Sequence, residues 1–101
     1  MFEVLIETPN RDPRQVRCLH STCGIGRGDD NLVVLQGWDI GREHAMLSMR
    51  KDGVFIETLG GRAPVMINGA KLKGEHGPLH REDMVNIGAY RLRVLADHAA
   101  D

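Results

Sequence analysis

The sequence has 101 residues, with 13 lysines and arginines against 14 aspartates and glutamates, so its formal net charge is −1. This length predicts one domain, and 42% hydrophobic with 27% charged residues is typical of a folded globular domain and excludes a disordered chain. The near-neutral charge argues against a nucleic-acid partner, because duplex binding depends on neutralising many phosphates. No apolar run approaches the roughly 18 residues that a membrane span needs, so no membrane insertion is expected.

The two cysteines, Cys18 and Cys23, are too few for a disulfide scaffold. The first residues have neither a basic start nor an apolar signal core, so we expect a cytoplasmic protein with reduced thiols. His20 lies between the cysteines, but no second Cys/His pair completes a zinc site. We therefore expect no metal and interpret both cysteines as strand residues.

Apolar and polar residues alternate along most of the chain, which predicts half-buried strands. In chain order the predicted strands cover residues 2–7, 14–20, 22–27, 32–35, 45–49, 55–56, 65–67, 71–73, 84–87 and 90–94. Asp52-Gly53 and Asn68-Gly69 are typical hairpin turns between such strands. No segment of ten or more residues has helical periodicity with a credible cap. The pattern predicts an all-β sandwich or barrel.

The sequence offers little for catalysis. Neither Ser21 nor Ser48 lies in a Gly-x-Ser-x-Gly elbow, and the glycine run at residues 24–29 fits neither a dinucleotide fingerprint nor a phosphate loop. Glu82 and Asp83 are adjacent, so in a strand they would point to opposite faces, unsuited to acid/base pairing. We expect no enzyme activity, no cofactor and no small-molecule substrate.

Three of the polar loops between the predicted strands carry one arginine each. These are Arg27, Arg42 and Arg62. Loops gathered at one end of a sandwich are a common place for a binding surface. The alternative is that these arginines are ordinary solvated loop charges, as most individual surface arginines are.

Six fragments stand out by their order and spacing: Ile25-Gly26-Arg27, Asn31-Leu32-Val33-Val34, Ile40-Gly41-Arg42-Glu43-His44-Ala45, Ile56-Glu57-Thr58-Leu59-Gly60, Ile67-Asn68-Gly69 with Leu72, and Asp83 followed by Val85, Ile87 and Gly88. With these fragments the sequence resembles the forkhead-associated (FHA) family, and the resemblance extends from about Phe2 to Leu95. The resemblance implies an FHA-like β-sandwich of about 10–11 strands in two antiparallel sheets. The domain would span residues 1–95, with 96–101 as a tail or the start of a linker.

The family binds phosphothreonine peptides through loops at one end, and the resemblance assigns roles to positions of this sequence. Arg27 matches an arginine that contacts the phosphopeptide, and Arg42 follows the position of a phosphate-binding serine, where Gly41 stands instead. The implied phosphopeptide-binding positions are Arg27, Gly41, Arg42, Gly61 and Arg62. The implied structural support of the site comes from Gly26, His44, Asn68 and Gly69, with Ala45 packing inward beside His44.

The sequence departs from the family pattern in the loop before residue 65. Gly61 replaces a serine, Ala63 an asparagine that grips the peptide backbone, and Pro64 a glycine. Losing the serine hydroxyl at Gly41 and the asparagine amide would together cost about 3 kcal/mol, or about a hundredfold in affinity. Arg62 is placed to restore part of this by a forked phosphate contact. We expect a weak, salt-dependent site that Gly41→Ser with Ala63→Asn would strengthen.

Two functional hypotheses follow. The first is a non-catalytic interaction module that docks a phosphorylated, phosphothreonine-like or acidic segment of a protein partner. The second is a phosphate-independent assembly domain of a larger bacterial secretion or signalling complex, because residues 35–38 and 77–79 are similar to FHA modules of secretion or pilus-assembly proteins. Trp38 either anchors such a contact or packs on the strand that follows His44.

Overall fold

The structure, a computed structural model, describes residues 2–95, which form eleven strands and no helix. The strands are β1 (Phe2–Glu7), β2 (Arg14–Cys18), β3 (Thr22–Gly26), β4 (Val33–Val34), β5 (Ala45–Arg50), β6 (Gly53–Thr58), β7 (Val65–Ile67), β8 (Ala70–Lys71), β9 (Glu75–His76), β10 (Val85–Ile87) and β11 (Tyr90–Leu95). The tail expected at residues 96–101 lies outside the described residues. No helix within residues 2–95 is long and apolar enough to cross a membrane.

The strands form two sheets, as predicted. One has six strands in the order β2-β1-β11-β10-β7-β8, and the other has five in the order β4-β3-β5-β6-β9. The pairing is antiparallel except between β3 and β4, where Ile25 pairs with Val33 and Gly26 with Val34 in parallel register. The prediction of a two-sheet β-sandwich is thus confirmed, and the second sheet is mixed because β4 returns beside β3 without a hairpin.

The core lies between the sheets and follows the period-two alternation of the sequence. In β1, Phe2, Val4 and Ile6 are buried, while the alternate residues are only partly covered. The same alternation buries Val85 and Ile87 in β10. Strand register therefore follows directly from the sequence, because a slip by one residue would exchange the two faces.

Cys18 and Cys23 reach this core from different sheets, and both are free thiols, as expected. Both side chains are buried. A hydrogen bond with Cys18, together with burial, raises the pKa of the Cys23 thiol. A protonated, buried thiol is a weak nucleophile, which agrees with a packing role for this cysteine.

Both predicted hairpins are present. Arg50 pairs with Gly53, so the first turn consists of Lys51 and Asp52, one residue earlier than the Asp-Gly pair suggested. In the second hairpin Asn68 and Gly69 have φ values of 50° and 87°, which are the left-handed conformations that a tight Asn-Gly turn needs.

Several loops come together at one end of the sandwich. The pairs Ile25–Ala45 and Ala45–Thr58 place the end of β3, the start of β5 and the end of β6 side by side. Hydrogen bonds between Gln36 and the Tyr90 hydroxyl bring the β10–β11 turn to the same end. We call this the loop end. The β1–β11 pair Glu3–Leu95 lies at the opposite end of the molecule.

Candidate functional site

The β3–β4 and β4–β5 loops are joined by main-chain hydrogen bonds at the loop end. The Arg27 N–H donates to the Gly41 carbonyl at 2.8 Å, and the Gly28 N–H donates to the Arg42 carbonyl at 3.1 Å. These bonds continue the β3–β5 ladder beyond its last strand pair. They hold the backbones of Arg27 and Arg42 next to each other.

Asn31 ties the same two loops together through its side chain. Its amide nitrogen donates to the carbonyls of Gly28 at 2.8 Å and Arg42 at 2.7 Å. Gly26 is required beside it, because a Cβ there would overlap the Arg42 carbonyl oxygen. No role for Asn31 was predicted from the sequence. The signal was available, since loop asparagines often bond to nearby backbone.

His44 joins the β4–β5 loop to the β6–β7 loop and is fully buried. The Gly41 N–H donates to Nδ1 at 2.9 Å, and Nε2 lies 2.7 Å from the Ala63 carbonyl. Because Nδ1 accepts a hydrogen bond, the proton of the neutral ring is on Nε2, which donates to Ala63. Ala45 is buried beside it, as expected. This geometry supports the bracing role proposed for His44.

Gly41 and Gly61 pack backbone against backbone where these loops meet. A Cβ on Gly41 would lie 2.9 Å from Gly61 Cα and 3.0 Å from Gly61 N. Gly61 has a φ of +97°, and a Cβ there would overlap the His44 ring. The expected gain from Gly41→Ser with Ala63→Asn stays a prediction, and the serine at position 41 has room only if the two loops separate.

Arg27, Arg42 and Arg62 are all exposed at the loop end. Arg27 donates from Nε to the Ile40 carbonyl at 3.2 Å, which leaves the rest of its guanidinium free. Within residues 2–95 none of the three has a carboxylate within 4.0 Å. The same loops also carry four carboxylates, from Asp29, Asp30, Asp39 and Glu43. Three guanidinium groups without a carboxylate partner can thus bind an anion, and the four nearby carboxylates weaken that binding by repulsion.

Backbone donors add to these guanidinium groups. In the described part of the chain, the N–H groups of Arg42, Glu43, Gly61 and Arg62 make no hydrogen bond. They lie on either side of the Gly41–Gly61 contact. Successive unpaired N–H groups in tight loops are suited to binding anionic oxygen atoms.

Trp38 does not pack on the strand after His44, so that prediction was wrong. Its side chain is 81% exposed, because Ile40, at 2% exposure, fills the buried position of this loop. The Arg62 guanidinium carbon lies 6.0 Å from the centre of the indole ring. Beside this pair is a groove of about 420 Å³, lined further by Pro64 and Met66. An exposed tryptophan next to an arginine is typical of a protein-binding surface.

Asn68 and Gly69 do not join the loop end. They follow β7, whose first residue, Val65, is the one next to the β6–β7 loop. Asn68 bonds instead to the segment before β10: its Oδ1 accepts from the Met84 N–H, and its Nδ2 donates to Asp83, both at 2.9 Å. A Cβ on Gly69 would meet nothing within 4 Å. Asn68 therefore supports the start of β10, and the positive φ values of Asn68 and Gly69 form the β7–β8 turn.

Among residues 2–95 no group of three His, Cys, Asp or Glu side chains is placed to hold a metal ion. The site that the described residues build is thus an open, arginine-bearing set of loops on a rigid sandwich.

The comparisons with known proteins agree with this architecture. A family model described as "FHA domain" matches residues 23–88, more than half of the chain, so the chain belongs to the FHA family. FHA domains are non-catalytic protein-interaction modules that bind phosphothreonine. No curated protein matches the sequence.

Solved structures share the fold at low sequence identity. An FHA domain studied for phosphothreonine-dependent interactions is 19% identical, with a TM-score of 0.79 over 94% of this chain and 97% of that chain. The FhaA FHA domain, solved in complex with the intracellular domain of Rv3910, is 20% identical, with a TM-score of 0.77 over 91% and 99%. The cytoplasmic domain of PscD, a type III secretion sorting-platform protein from P. aeruginosa, is 13% identical, with a TM-score of 0.77 over 96% and 81%.

Proposed function

We propose that this chain is a non-catalytic interaction module that docks a phosphorylated, phosphothreonine-like or acidic segment through its loop end. The observation that carries the proposal is the group of three exposed arginines, Arg27, Arg42 and Arg62, which have no carboxylate partner within residues 2–95. A guanidinium without a partner can give forked hydrogen bonds to a phosphate or carboxylate.

Phosphate dependence is expected to be weaker than in a family member that has the serine and the asparagine. Gly41 and Ala63 supply no side-chain donor, and the four loop carboxylates repel an anion. The unpaired N–H groups around Gly41 and Gly61 compensate in part, because they can donate to a phosphate oxygen without a hydroxyl. Affinity should depend on charge and fall with added salt, since attraction between exposed charges is screened over about 8 Å at physiological ionic strength.

The test is a titration against a degenerate phosphothreonine peptide library and against the same library without phosphate. Binding of the phosphorylated library should be lost when Arg27 and Arg42 are both replaced by alanine. Arg81→Ala is the matched control, because Arg81 is also an exposed loop arginine but follows β9, away from the loop end. Equal binding of both libraries, unaffected by the double substitution, would contradict the proposal.

A second candidate function is phosphate-independent assembly within a larger bacterial secretion or signalling complex. The 81% exposure of Trp38 favours this function. A large apolar side chain that is exposed in an isolated domain is often buried when a partner binds. The shared fold with PscD is consistent with this function. If it is correct, Trp38→Ala should abolish partner binding while Arg27→Ala has no effect. The free thiols of Cys18 and Cys23 are consistent with a reducing, cytoplasmic location for either function.

A further inference from the structure

A second cleft lies at the edge of the loop end, away from the Gly41–Gly61 contact. It has a volume of about 830 Å³ and lies between the β1–β2 loop and the segment that follows β4. Arg11 and Arg14 line it on one side, and Gln36 and Tyr90 line it on the other. Neither arginine belongs to the site proposed above, so the cleft has no function in that proposal.

The floor of the cleft is rigid because it joins the edges of the two sheets. Arg14, at the start of β2, donates from Nη2 to the Val34 carbonyl in β4 at 2.8 Å. The Tyr90 hydroxyl accepts from the Gln36 N–H at 2.9 Å and donates to the Gln36 carbonyl at 3.1 Å. The bond to Val34 holds the Arg14 guanidinium at the cleft and leaves its other N–H groups free for a ligand. The two Tyr90 bonds hold the Gln36 backbone on the other side of the cleft.

The loop that carries Arg11 is also restrained. Pro9 and Pro13 flank it, Asn10 has a φ of 63°, and the Arg11 N–H donates to the Thr8 carbonyl at 3.3 Å. Within residues 2–95 the Arg11 side chain makes no hydrogen bond and has no carboxylate within 4.0 Å. Arg11 thus offers a free guanidinium from a stiff loop, which reduces the entropy lost on binding.

One carboxylate, from Asp12, also lines the cleft. It forms no ion pair with Arg11 or Arg14 within the described residues. Two guanidinium groups against one carboxylate leave the cleft with a net positive charge. This excess favours an anionic ligand, and Asp12 limits how strongly that ligand is held.

We propose that this cleft binds a short acidic peptide segment through the carboxylates of successive Asp or Glu side chains. The volume lies in the range of pockets that hold ligands much larger than a single ion. The fixed Arg14 and the free Arg11 supply two forked donors for two carboxylates. The proposal goes beyond the proposed function and does not depend on phosphate or on Arg27 and Arg42.

The test is an NMR titration of the ¹⁵N-labelled protein with hexaglutamate at low salt, with hexaglutamine as the uncharged control. Hexaglutamate should shift the amide signals of Thr8, Arg11 and Gln36. Arg11→Ala should weaken this binding about tenfold, the size of one charge-assisted hydrogen bond. Asp12→Asn should strengthen it. Arg11→Ala should fold normally, since its side chain makes no hydrogen bond in the described structure, and an unchanged melting temperature verifies this.

Three controls distinguish binding in the cleft from binding at the loop end and from binding of a single ion. Arg81→Ala and the Arg27→Ala, Arg42→Ala double variant should bind hexaglutamate at Thr8 and Gln36 as the natural sequence does. Absence of these shifts, or shifts that Arg11→Ala leaves unchanged, would overturn the proposal. Shifts centred on Gly41 and Gly61 and lost in the double variant would overturn it while supporting the proposed function. Inorganic phosphate alone binding equally well in the cleft would show a single-ion site and overturn the assignment to an acidic segment.

Discussion

A Cβ atom on Gly41 would lie 2.9 Å from the Cα of Gly61, so the β4–β5 and β6–β7 loops touch through two residues without side chains. His44 lies beneath this contact and bonds to both loops, through the Gly41 N–H and the Ala63 carbonyl. The glycine at the position of the family's serine is therefore part of a packed junction. Restoring the serine alone would have to move backbone.

Gly61→Ala should destabilise the protein far more than Gly69→Ala. Both glycines have positive φ values, +97° and +87°, so each substitution carries backbone strain of about 1 kcal/mol. Only at Gly61 does the added Cβ overlap the His44 ring, whereas at Gly69 it meets nothing within 4 Å. We expect an additional cost of about 1–3 kcal/mol at Gly61 in urea unfolding. If both variants lost the same free energy of unfolding, the prediction would be contradicted, because the loops would then separate without cost.

His44→Ala should lower the free energy of unfolding by about 2–4 kcal/mol. The substitution leaves a cavity and removes the partners of the Gly41 N–H and the Ala63 carbonyl. His20→Ala is the control, because His20 is exposed and makes no side-chain hydrogen bond in the described chain. Urea unfolding of both variants measures the difference. A His44→Ala variant as stable as the control would contradict the bracing role.

Asp83 should contribute stability that depends on pH. Its carboxylate accepts from the His80 N–H at 2.7 Å and from Asn68 Nδ2 at 2.9 Å, and these bonds lower the pKa of the Asp83 carboxyl. A lowered pKa in the folded state means that the contribution is present above the unfolded pKa of about 4. It is lost as the pH falls through the folded value.

Asp83→Asn should therefore be less stable than the natural sequence at pH 7, and the two should converge below about pH 4. Urea unfolding at a series of pH values measures this. Asp52→Asn is the control, because Asp52 lies exposed in the β5–β6 turn without a side-chain hydrogen bond in the described chain. The variant and the natural sequence could instead differ in free energy of unfolding by the same amount at every pH. That result would refute the pH-dependent contribution of the Asp83 carboxylate.

The single tryptophan makes the loop end directly observable by fluorescence. Because Trp38 is 81% exposed, its emission should resemble that of free tryptophan in water, and acrylamide should quench it readily. A partner that covers the groove beside Arg62 should shift the emission to shorter wavelength and protect it from the quencher. Emission typical of a buried indole in the free protein would contradict the exposed position.

Much of the sandwich could be predicted because its determinants are local. Alternation in β1 predicts both its register and its buried face, and Asn68-Gly69 predicts a hairpin by its preference for left-handed conformations. The parallel pairing of Ile25 with Val33 could not be predicted this way. It depends on the path of the connection at residues 27–32, and neither strand's pattern specifies the direction of its neighbour.

The loop end was predicted less completely, because its contacts join residues distant in sequence. The positions of Arg27 and Arg42 followed from the family resemblance, but the bridging by Asn31 and the Gly41–Gly61 contact depend on the packing of separate loops. Trp38 was misplaced for a similar reason. The large apolar area of an indole ring favours its burial. Only the geometry of the loop shows that Ile40 occupies the buried position.

The most direct test of the account is the affinity of one library-selected peptide, with and without its phosphate, measured by calorimetry at two salt concentrations. We predict weak binding of the phosphorylated peptide, weaker still or absent binding without phosphate, a steep loss on adding salt, and poor discrimination between phosphothreonine and phosphoserine. Replacing Arg27 and Arg42 with alanine should abolish the binding. Identical affinities for the two peptides, insensitive to salt and to the double substitution, would contradict the central claim.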